Sequence, residues 1–239
     1  MSSRALAGIA AAGAALALAA PAGAASYPKI AELVVFRDGS TLQGQVTSKQ
    51  VTVKVGGRSC AVGSRTALAA LVRLKPPSLA LRDYGSCGRR ARDAAGLFVR
   101  RMAGDANKGF DGWVYKVGQK LATTGAADPT GPFGHGLLKD GQRVTWFYCR
   151  LDQETRNCQR TLALKAAPAG PGQITVTVRS YDDRGRSVPA AGATVDADSA
   201  TATTDANGQA TLSVPPGPAF VHATRAGEIR SFEERVEVE

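Results

Sequence analysis

Short segments in which every second residue is apolar recur along most of this chain, with turn-forming residues between them. In 51–55 valines alternate with polar residues. In 144–149 Val, Trp and Tyr occupy one face of a strand, while Thr, Phe and Cys occupy the other. A period of two is typical of β-strands. The 27 glycines and 12 prolines supply tight turns and interrupt long helices. We therefore expect a mainly β protein.

One short helix is expected in the first half of the chain. Leu68, Leu71 and Val72 have the spacing of one helical face. Ser64 precedes them as the predicted N-cap, and the prolines at 76–77 end the segment. A single helix among many strands makes the first half α+β.

The segment 144–149 is predicted to be a central strand because it carries aromatic residues on both faces. A strand in the middle of a covered sheet is buried on both faces, whereas a surface strand has one polar face. Residues 158–164 are expected to return beside it as the second strand of a hairpin. This strand pair is the most strongly patterned in the chain.

The chain divides into two parts of opposite charge. Residues 50–165 contain 20 lysines and arginines against 8 aspartates and glutamates, whereas residues 171–239 contain 6 against 10. The Ala-, Pro- and Gly-rich segment 166–172 between them has no apolar periodicity, which predicts a linker. We expect one domain over 26–165 and a second over 173–239. In the second, strands at roughly ten-residue spacing predict an immunoglobulin-like β-sandwich.

Residues 1–25 have the organisation of a cleavable signal peptide. Arg4 precedes an apolar stretch at 5–20, and Pro21 and small residues follow. A membrane anchor is the alternative, but it needs about 20 strongly apolar residues, and this stretch is shorter and rich in alanine. We predict a secreted, extracellular protein, either free or associated with the cell surface, with no transmembrane anchor after cleavage.

The four cysteines form an even set in a chain that is predicted to be exported, so disulfides are expected. Three pairings are open. Cys149 and Cys158 flank a short polar segment, which favours a local bridge and leaves Cys60 to pair with Cys87. A zinc site is the alternative, but the chain has no C-x-x-C pair and only two histidines. We predict two disulfides and no metal site.

Three motifs in the first predicted domain carry a resemblance to a known family: GWVYKVG at 112–118, GPFG at 131–134 and LKDGQRVTWFYC at 138–149. With them, residues 51–164 resemble the transcobalamin-like C-terminal domain, a family of mostly uncharacterised bacterial secreted domains. The resemblance implies a β-grasp-like fold, in which a sheet wraps around one helix. In the vertebrate cobalamin carriers the matching domain is half of a ligand clamp. The other half, an α-helical barrel, has no counterpart in this chain.

The second half has shorter motifs, ITVTV at 174–178, AGATV at 191–195, TDANG at 204–208 and VPPG at 214–217. Through them it resembles the carboxypeptidase regulatory-like family. That resemblance implies a transthyretin-type sandwich of seven strands. The family is an accessory domain of surface proteins and peptidases and carries no catalytic residues.

Five aromatic residues of the first domain are candidates for a ligand-binding face: Trp113, Tyr115, Phe133, Trp146 and Tyr148. In a chain with 6% aromatic residues, such residues are more often part of the core, which is the alternative. Phe133 lies in a Gly-rich loop that either shapes a ligand mouth or forms a tight crossover. Both interpretations stay open at the level of the sequence.

Five arginines form a basic segment that is a candidate anion-binding patch: Arg89, Arg90, Arg92, Arg100 and Arg101. Phosphates, anionic glycans and lipid head groups are the ligands that such a patch attracts. The alternative is an ordinary solvent-facing charged surface. Export argues against nucleic acid as the partner.

The sequence offers no complete catalytic set. His135 and His222 lie in different predicted domains, and the run 84–88 has Tyr where a nucleophile elbow needs glycine. The polar run 105–112 lacks the glycine and the final acid of a calcium loop. We expect no enzymatic activity and no cofactor.

We expect a monomeric binding or adhesion protein that is secreted or associated with the cell surface. Its ligand is an unknown small molecule or cell-surface component. One alternative is a soluble carrier of a small molecule such as a corrinoid. Another is a binder of anionic surface polymers.

Overall fold

The computed structural model describes residues 26–198 and 200–239, so the predicted signal peptide lies outside the described residues. The first half of the chain contains β1 (Lys29–Val35), β2 (Thr41–Thr47), β3 (Val51–Val55), β4 (Arg58–Val62), α1 (Ala67–Leu74), β5 (Ala80–Asp83), a 3-10 helix (Ala91–Asp93), β6 (Leu97–Met102), β7 (Asp105–Ala106), β8 (Gly112–Val117), β9 (Lys120–Leu121) and β10 (Arg143–Cys149). The second half contains β11 (Thr161–Gly170), β12 (Gln173–Tyr181), β13 (Ser187–Pro189), β14 (Thr194–Ala197), β15 (Ala200–Thr203), β16 (Gln209–Ser213), β17 (Gly217–Thr224) and β18 (Glu234–Val238). The predicted mainly β class with one short helix is confirmed.

A five-stranded mixed sheet with the order β2-β1-β10-β8-β9 forms the first domain. β1 and β10 run parallel in its middle, and the other pairs are antiparallel. α1 packs on one face of this sheet over β1 and β2. β10 is central and buried on both faces, as its two aromatic faces predicted. The two short sheets β3-β4 and β5-β6-β7 complete the domain around the helix.

The helix begins later than the sequence predicted. Thr66, not Ser64, is the N-cap, and its Oγ1 accepts a hydrogen bond from the amide of Ala69 at 3.3 Å. Arg65 has a positive φ of 64°, a left-handed conformation that cannot belong to the helix. The helix ends at Leu74, where Lys75 adopts a left-handed cap before the two prolines.

The hairpin predicted between 144–149 and 158–164 does not form. Both edges of β10 are taken by β1 and β8, so no edge is free for another strand. β11 instead pairs with β12, and its residues Leu162 and Leu164 belong to the core of the second domain. The residues 166–170, predicted to be part of a linker, continue β11 up to a tight turn.

The second domain is a sandwich of two four-stranded sheets. β12 is the long central strand of the first sheet; β11 lies along one edge, and β16 and β13 share the other. The second sheet has the order β15-β14-β17-β18. Ile174, Val176 and Val178 point inward from β12, as their alternation predicts, and are fully buried.

Both predicted disulfides are present. Cys60 of β4 is bridged to Cys87, with Cα atoms 5.3 Å apart. Cys149 at the end of β10 is bridged to Cys158, with Cα atoms 5.1 Å apart. The first bridge lies within the first domain, where both of its cysteines are buried in the core, and the second closes a loop at the end of that domain.

A non-reduced proteolytic digest of the purified protein is expected to yield two cross-linked peptide pairs, Cys60 with Cys87 and Cys149 with Cys158, because these cysteines lie within bonding distance of each other. Mass spectrometry before and after reduction measures this. A peptide that joins Cys60 to Cys149 would contradict the pairing.

The face of the central sheet opposite α1 is covered by the second domain. Leu33, Val35 and Phe147 pack there against Ile229 and Phe232. Since Ile229 and Phe232 follow β17, one loop of the sandwich fills the apolar side of the sheet.

A buried polar network lies in the same junction. The Lys116 side chain is fully buried, and its Nζ lies 3.3 Å from Oδ1 of Asp183. It also donates to the carbonyl oxygens of Tyr181 at 3.3 Å and Asp182 at 3.1 Å. The two domains are therefore joined by apolar packing and by one buried cation.

Candidate functional site: an aromatic pocket beside the central sheet

A cavity of about 310 Å³ opens on the helix-facing side of the central sheet, at the β8 end that α1 leaves uncovered. Trp113, Tyr115 and Trp146 line it from the sheet. Phe98 and Val99 of β6 form a second wall, and the chain at 121–126 forms a third. Among the concave regions of the described chain, we take this one as the candidate site because its lining is mostly apolar and includes four aromatic residues.

The strand register brings the aromatic side chains together. β8 and β10 are antiparallel, with Tyr115 opposite Trp146 and Trp113 opposite Tyr148. Alternation places all four on the same face of the sheet. The rings of Tyr115 and Trp146 are stacked with centroids 4.8 Å apart, and Trp113 meets Tyr148 edge to face at 5.9 Å.

Three of the five predicted ligand residues are therefore both core residues and pocket residues. Trp113, Tyr115 and Trp146 are each less than a tenth exposed, yet their edges form the floor of the cavity. Burial within the sheet holds the rings in place, so the pocket needs little ordering when a ligand enters.

The wall at 121–126 is held by hydrogen bonds as well as by the packing of Ala122 and Ala126 against the core. The Tyr115 hydroxyl donates to the carbonyl of Thr124 at 3.3 Å, and the Thr124 hydroxyl donates to the carbonyl of Gly131 at 2.7 Å. Burial raises the pKa of Tyr115 to about 12, so this phenol remains a neutral donor at physiological pH. Gly125 approaches Ala95 so closely that a Cβ would lie 2.7 Å from the Ala95 carbonyl oxygen. No larger residue fits there without movement of the wall.

The other two predicted ligand residues lie elsewhere. Phe133 packs against the core behind the wall and does not line the cavity. Tyr148 lies at a separate cleft, where the guanidinium of Arg37 covers its ring at 4.9 Å. The predicted face is thus divided, with three residues at the pocket and two away from it.

Two exposed aromatic residues at the pocket were not identified from the sequence. Phe98 is 44% exposed and Tyr84 is 65% exposed, and their rings meet edge to face at 5.4 Å. Phe98 occupies an outward position between the buried Leu97 and Val99. The sequence could have indicated Phe98, because an aromatic residue there occupies a position that is usually polar in an alternating strand.

The predicted arginine patch is not a single cluster. Arg90 and Arg92 lie beside Asp93, with nitrogen–oxygen distances of 3.5 Å and 3.7 Å. Arg89 precedes them in the same loop. Arg100 and Arg101 lie on β6 beyond Phe98. The sequence-predicted set therefore mixes arginines that face an acidic partner with arginines that do not.

Two larger clefts lie where the domains meet, with volumes of about 470 Å³ and about 690 Å³. Both are lined by Arg150, Gln159 and Glu228. Several charges in their walls already pair within the protein, among them Arg37 with Asp105 at 3.6 Å. These clefts are larger and more polar than the aromatic pocket and are weaker candidates for a specific small-molecule site.

Two segments considered for catalysis or calcium binding, 84–88 and 105–112, have structural roles. Cys87 is bonded to Cys60 and is not a free nucleophile. In the polar run 105–112, the side chain of Asn107 accepts from the amide of Trp113 and donates to the carbonyl of Val99, which stabilises a turn. Residues 26–198 and 200–239 contain no group of three or more metal-ligating side chains and no helix long and apolar enough to cross a membrane.

In comparisons with known proteins, no protein-family model, no curated protein and no solved structure matches this chain. The two family resemblances therefore stay predictions from the sequence. Inference about function rests on the pocket and its surroundings.

Proposed function

We propose that this is an exported, non-enzymatic binding protein that holds a small apolar ring compound in the aromatic pocket. The observation that carries the proposal is the preformed cavity with Trp113, Tyr115 and Trp146 in its floor. Specific small-molecule sites are concave, mostly apolar and largely preformed, with a few fixed polar groups. The Tyr115 hydroxyl and the backbone of the wall supply such polar groups here.

The size of the pocket limits the ligand class. A volume of about 310 Å³ is at the lower end of the range of roughly 300–1,000 Å³ for ligand pockets. A compound of one to three aromatic rings suits this space. A corrinoid is a macrocycle several times larger, so the pocket favours a smaller ligand over the cobalamin-type alternative.

The two disulfides support the exported location. Structural disulfides persist in oxidising compartments and are rare in the cytosol. Both bridges lie in the first domain or at its end, where they close loops around the pocket-bearing sheet. The sandwich then acts as a support and spacer for the binding domain.

The uncharged fluorescent probe phenylnaphthylamine is expected to bind in the pocket. The chain contains two tryptophans, and both line the cavity, so excitation of tryptophan should transfer energy to the bound probe. Ala122→Phe places a ring inside the cavity and should weaken binding by at least about tenfold, which corresponds to about 1.4 kcal/mol. Fluorescence titration of the mature protein measures both effects.

Ala166→Phe is the matched control, because Ala166 is also a partly buried alanine but lies on β11 of the second domain. It should bind the probe as the wild type does. Equal probe binding by Ala122→Phe and the wild type, or the absence of energy transfer from tryptophan, would place the binding outside this pocket.

A further inference from the structure

The outward surface of β5 and β6 joins the mouth of the aromatic pocket. Arg82 pairs with Phe98 across the two strands, and Arg100 follows Phe98 by two residues on the same strand. Tyr84 comes directly after β5 and contacts Phe98. We call Arg82, Tyr84, Phe98 and Arg100 the arginine–aromatic rim. Since Phe98 also lines the cavity, the rim and the pocket form one continuous surface.

Ion pairing differs among the arginines near the rim, since Arg58, Arg90 and Arg92 pair with carboxylates. Within residues 26–198 and 200–239, neither Arg82 nor Arg100 forms an ion pair with a carboxylate. By contrast, Arg58 pairs with Asp83 at 2.9 Å, and this pair neutralises the one acid of β5. The rim therefore carries positive charge that no described acidic group offsets.

The Tyr84 ring also restricts the orientation of the Arg82 guanidinium. The guanidinium of Arg82 lies 4.6 Å from the centre of the Tyr84 ring, a distance at which the ring attracts the cation and orients it. An arginine held over an aromatic ring keeps its N–H groups at the edge free for an anion, and its planar group suits carboxylate, sulfonate and phosphate oxygens.

From these observations we propose that the ligand of the aromatic pocket carries one anionic group, which binds to Arg82 and Arg100 while the ring occupies the cavity. The inference rests on the proposed function, since it assigns the charge of the same ligand. The class is a free, small aromatic or fused-ring anion, such as a carboxylate or a sulfonate. The cavity accepts the ring, and the rim selects against uncharged or cationic analogues.

Two probes with the same ring system test the charge directly. Anilinonaphthalene sulfonate is the anionic counterpart of phenylnaphthylamine, so the difference in their affinities isolates the anionic group. Since exposed ion pairs are individually weak, we expect Arg82→Gln/Arg100→Gln to weaken binding of the sulfonate about fivefold and to leave binding of the uncharged probe within about twofold.

Arg90→Gln/Arg92→Gln is the matched control, because it removes the same net charge from two arginines that already face Asp93. It should change sulfonate binding by less than about twofold. Added salt should reduce the wild-type preference for the sulfonate and should leave the rim variant almost unaffected, since exposed charges are screened.

The outcomes separate the two proposals. If the uncharged probe binds in the pocket and the rim variant binds the sulfonate as tightly as the wild type does, the inference about the rim is overturned and the proposed function stands. If the rim variant and the control lose affinity equally, the effect is one of net charge, and the inference also fails. If neither probe binds, the proposed function itself fails.

Discussion

Replacement of Lys116 by methionine is expected to lower the free energy of unfolding by about 3–5 kcal/mol, the usual cost of removing one partner of a buried ion pair. Lys116 lies on β8 and its side chain is fully buried between the domains. Its ammonium group contacts the carboxylate of Asp183 and two carbonyl oxygens of the second domain. Methionine fills the same space but satisfies none of these acceptors.

The reason for the large effect is the carboxylate that remains. The Asp183 side chain is 10% exposed, and its second oxygen accepts from the amide of Cys158 at 2.8 Å. Without the lysine, the negative charge stays buried with one backbone donor only. Burial lowers the pKa of Lys116, and the charge of Asp183 opposes this shift. The pair thus stabilises the fold only while both members are present.

Urea unfolding of three variants checks this account. Lys116→Met/Asp183→Asn removes both charges and keeps an acceptor for the Cys158 amide, so the double variant should be more stable than Lys116→Met alone. Arg186→Met breaks an exposed pair with Asp182 and should cost no more than about 1 kcal/mol. Equal losses in Lys116→Met and Arg186→Met would show that the buried cation contributes no more than a surface one.

Glu32→Gln is expected to stabilise the protein at alkaline pH by on the order of 1–3 kcal/mol, the range for a buried polar group without a partner. Glu32 lies on β1 on the face covered by α1 and is fully buried. Among the described residues, neither of its carboxyl oxygens accepts a hydrogen bond of normal geometry. Burial raises the pKa of Glu32 well above its ordinary value, and the nearby indole N–H of Trp146 offsets this only in part.

The sign of the pH dependence follows from the direction of that pKa shift. The folded state holds the Glu32 proton more tightly than the unfolded chain, whose glutamate pKa is about 4.3. The contribution of protonated Glu32 to stability is therefore fully present below that pH. It is lost as the pH rises through the pKa that Glu32 has in the folded state. Glutamine cannot ionise, so the variant should lack this decrease.

Chemical unfolding at about pH 4 and about pH 9 measures the difference. The gap between Glu32→Gln and the wild type should widen with pH. Glu154→Gln removes the same charge from an exposed loop and should follow the wild type at both values. Parallel stability curves for wild type and Glu32→Gln would show that Glu32 does not titrate differently in the folded and unfolded states.

The junction around Lys116 also reaches the pocket. Leu121 lines the cavity, and its amide donates to the carbonyl oxygen of Asp183 at 2.9 Å. The wall at 121–126 is therefore attached to the second domain at its first residue and to the loop at 131–136 further on. The sandwich thus fixes one end of a wall of the aromatic cavity.

Local pattern was sufficient for several features of this protein. The period of two specified a mainly β chain, and the doubly aromatic segment 144–149 specified a central strand, because burial on both faces is the only environment that such a strand tolerates. The short separation of Cys149 and Cys158 favoured the correct disulfide pairing. Each of these features depends on residues that are close in sequence.

Features that depend on distant partners emerged only with the tertiary structure. Residues 158–164 have the pattern of a strand, but which strand they pair with depended on the edges that β1 and β8 had already occupied. Lys116 looks like any polar residue of an alternating strand until the second domain covers it. The same holds for the pocket. The aromatic residues were visible in the sequence, whereas the cavity itself, the exposed Phe98 and the unpaired Arg82 follow from how α1, β6 and the wall at 121–126 divide the face of the sheet.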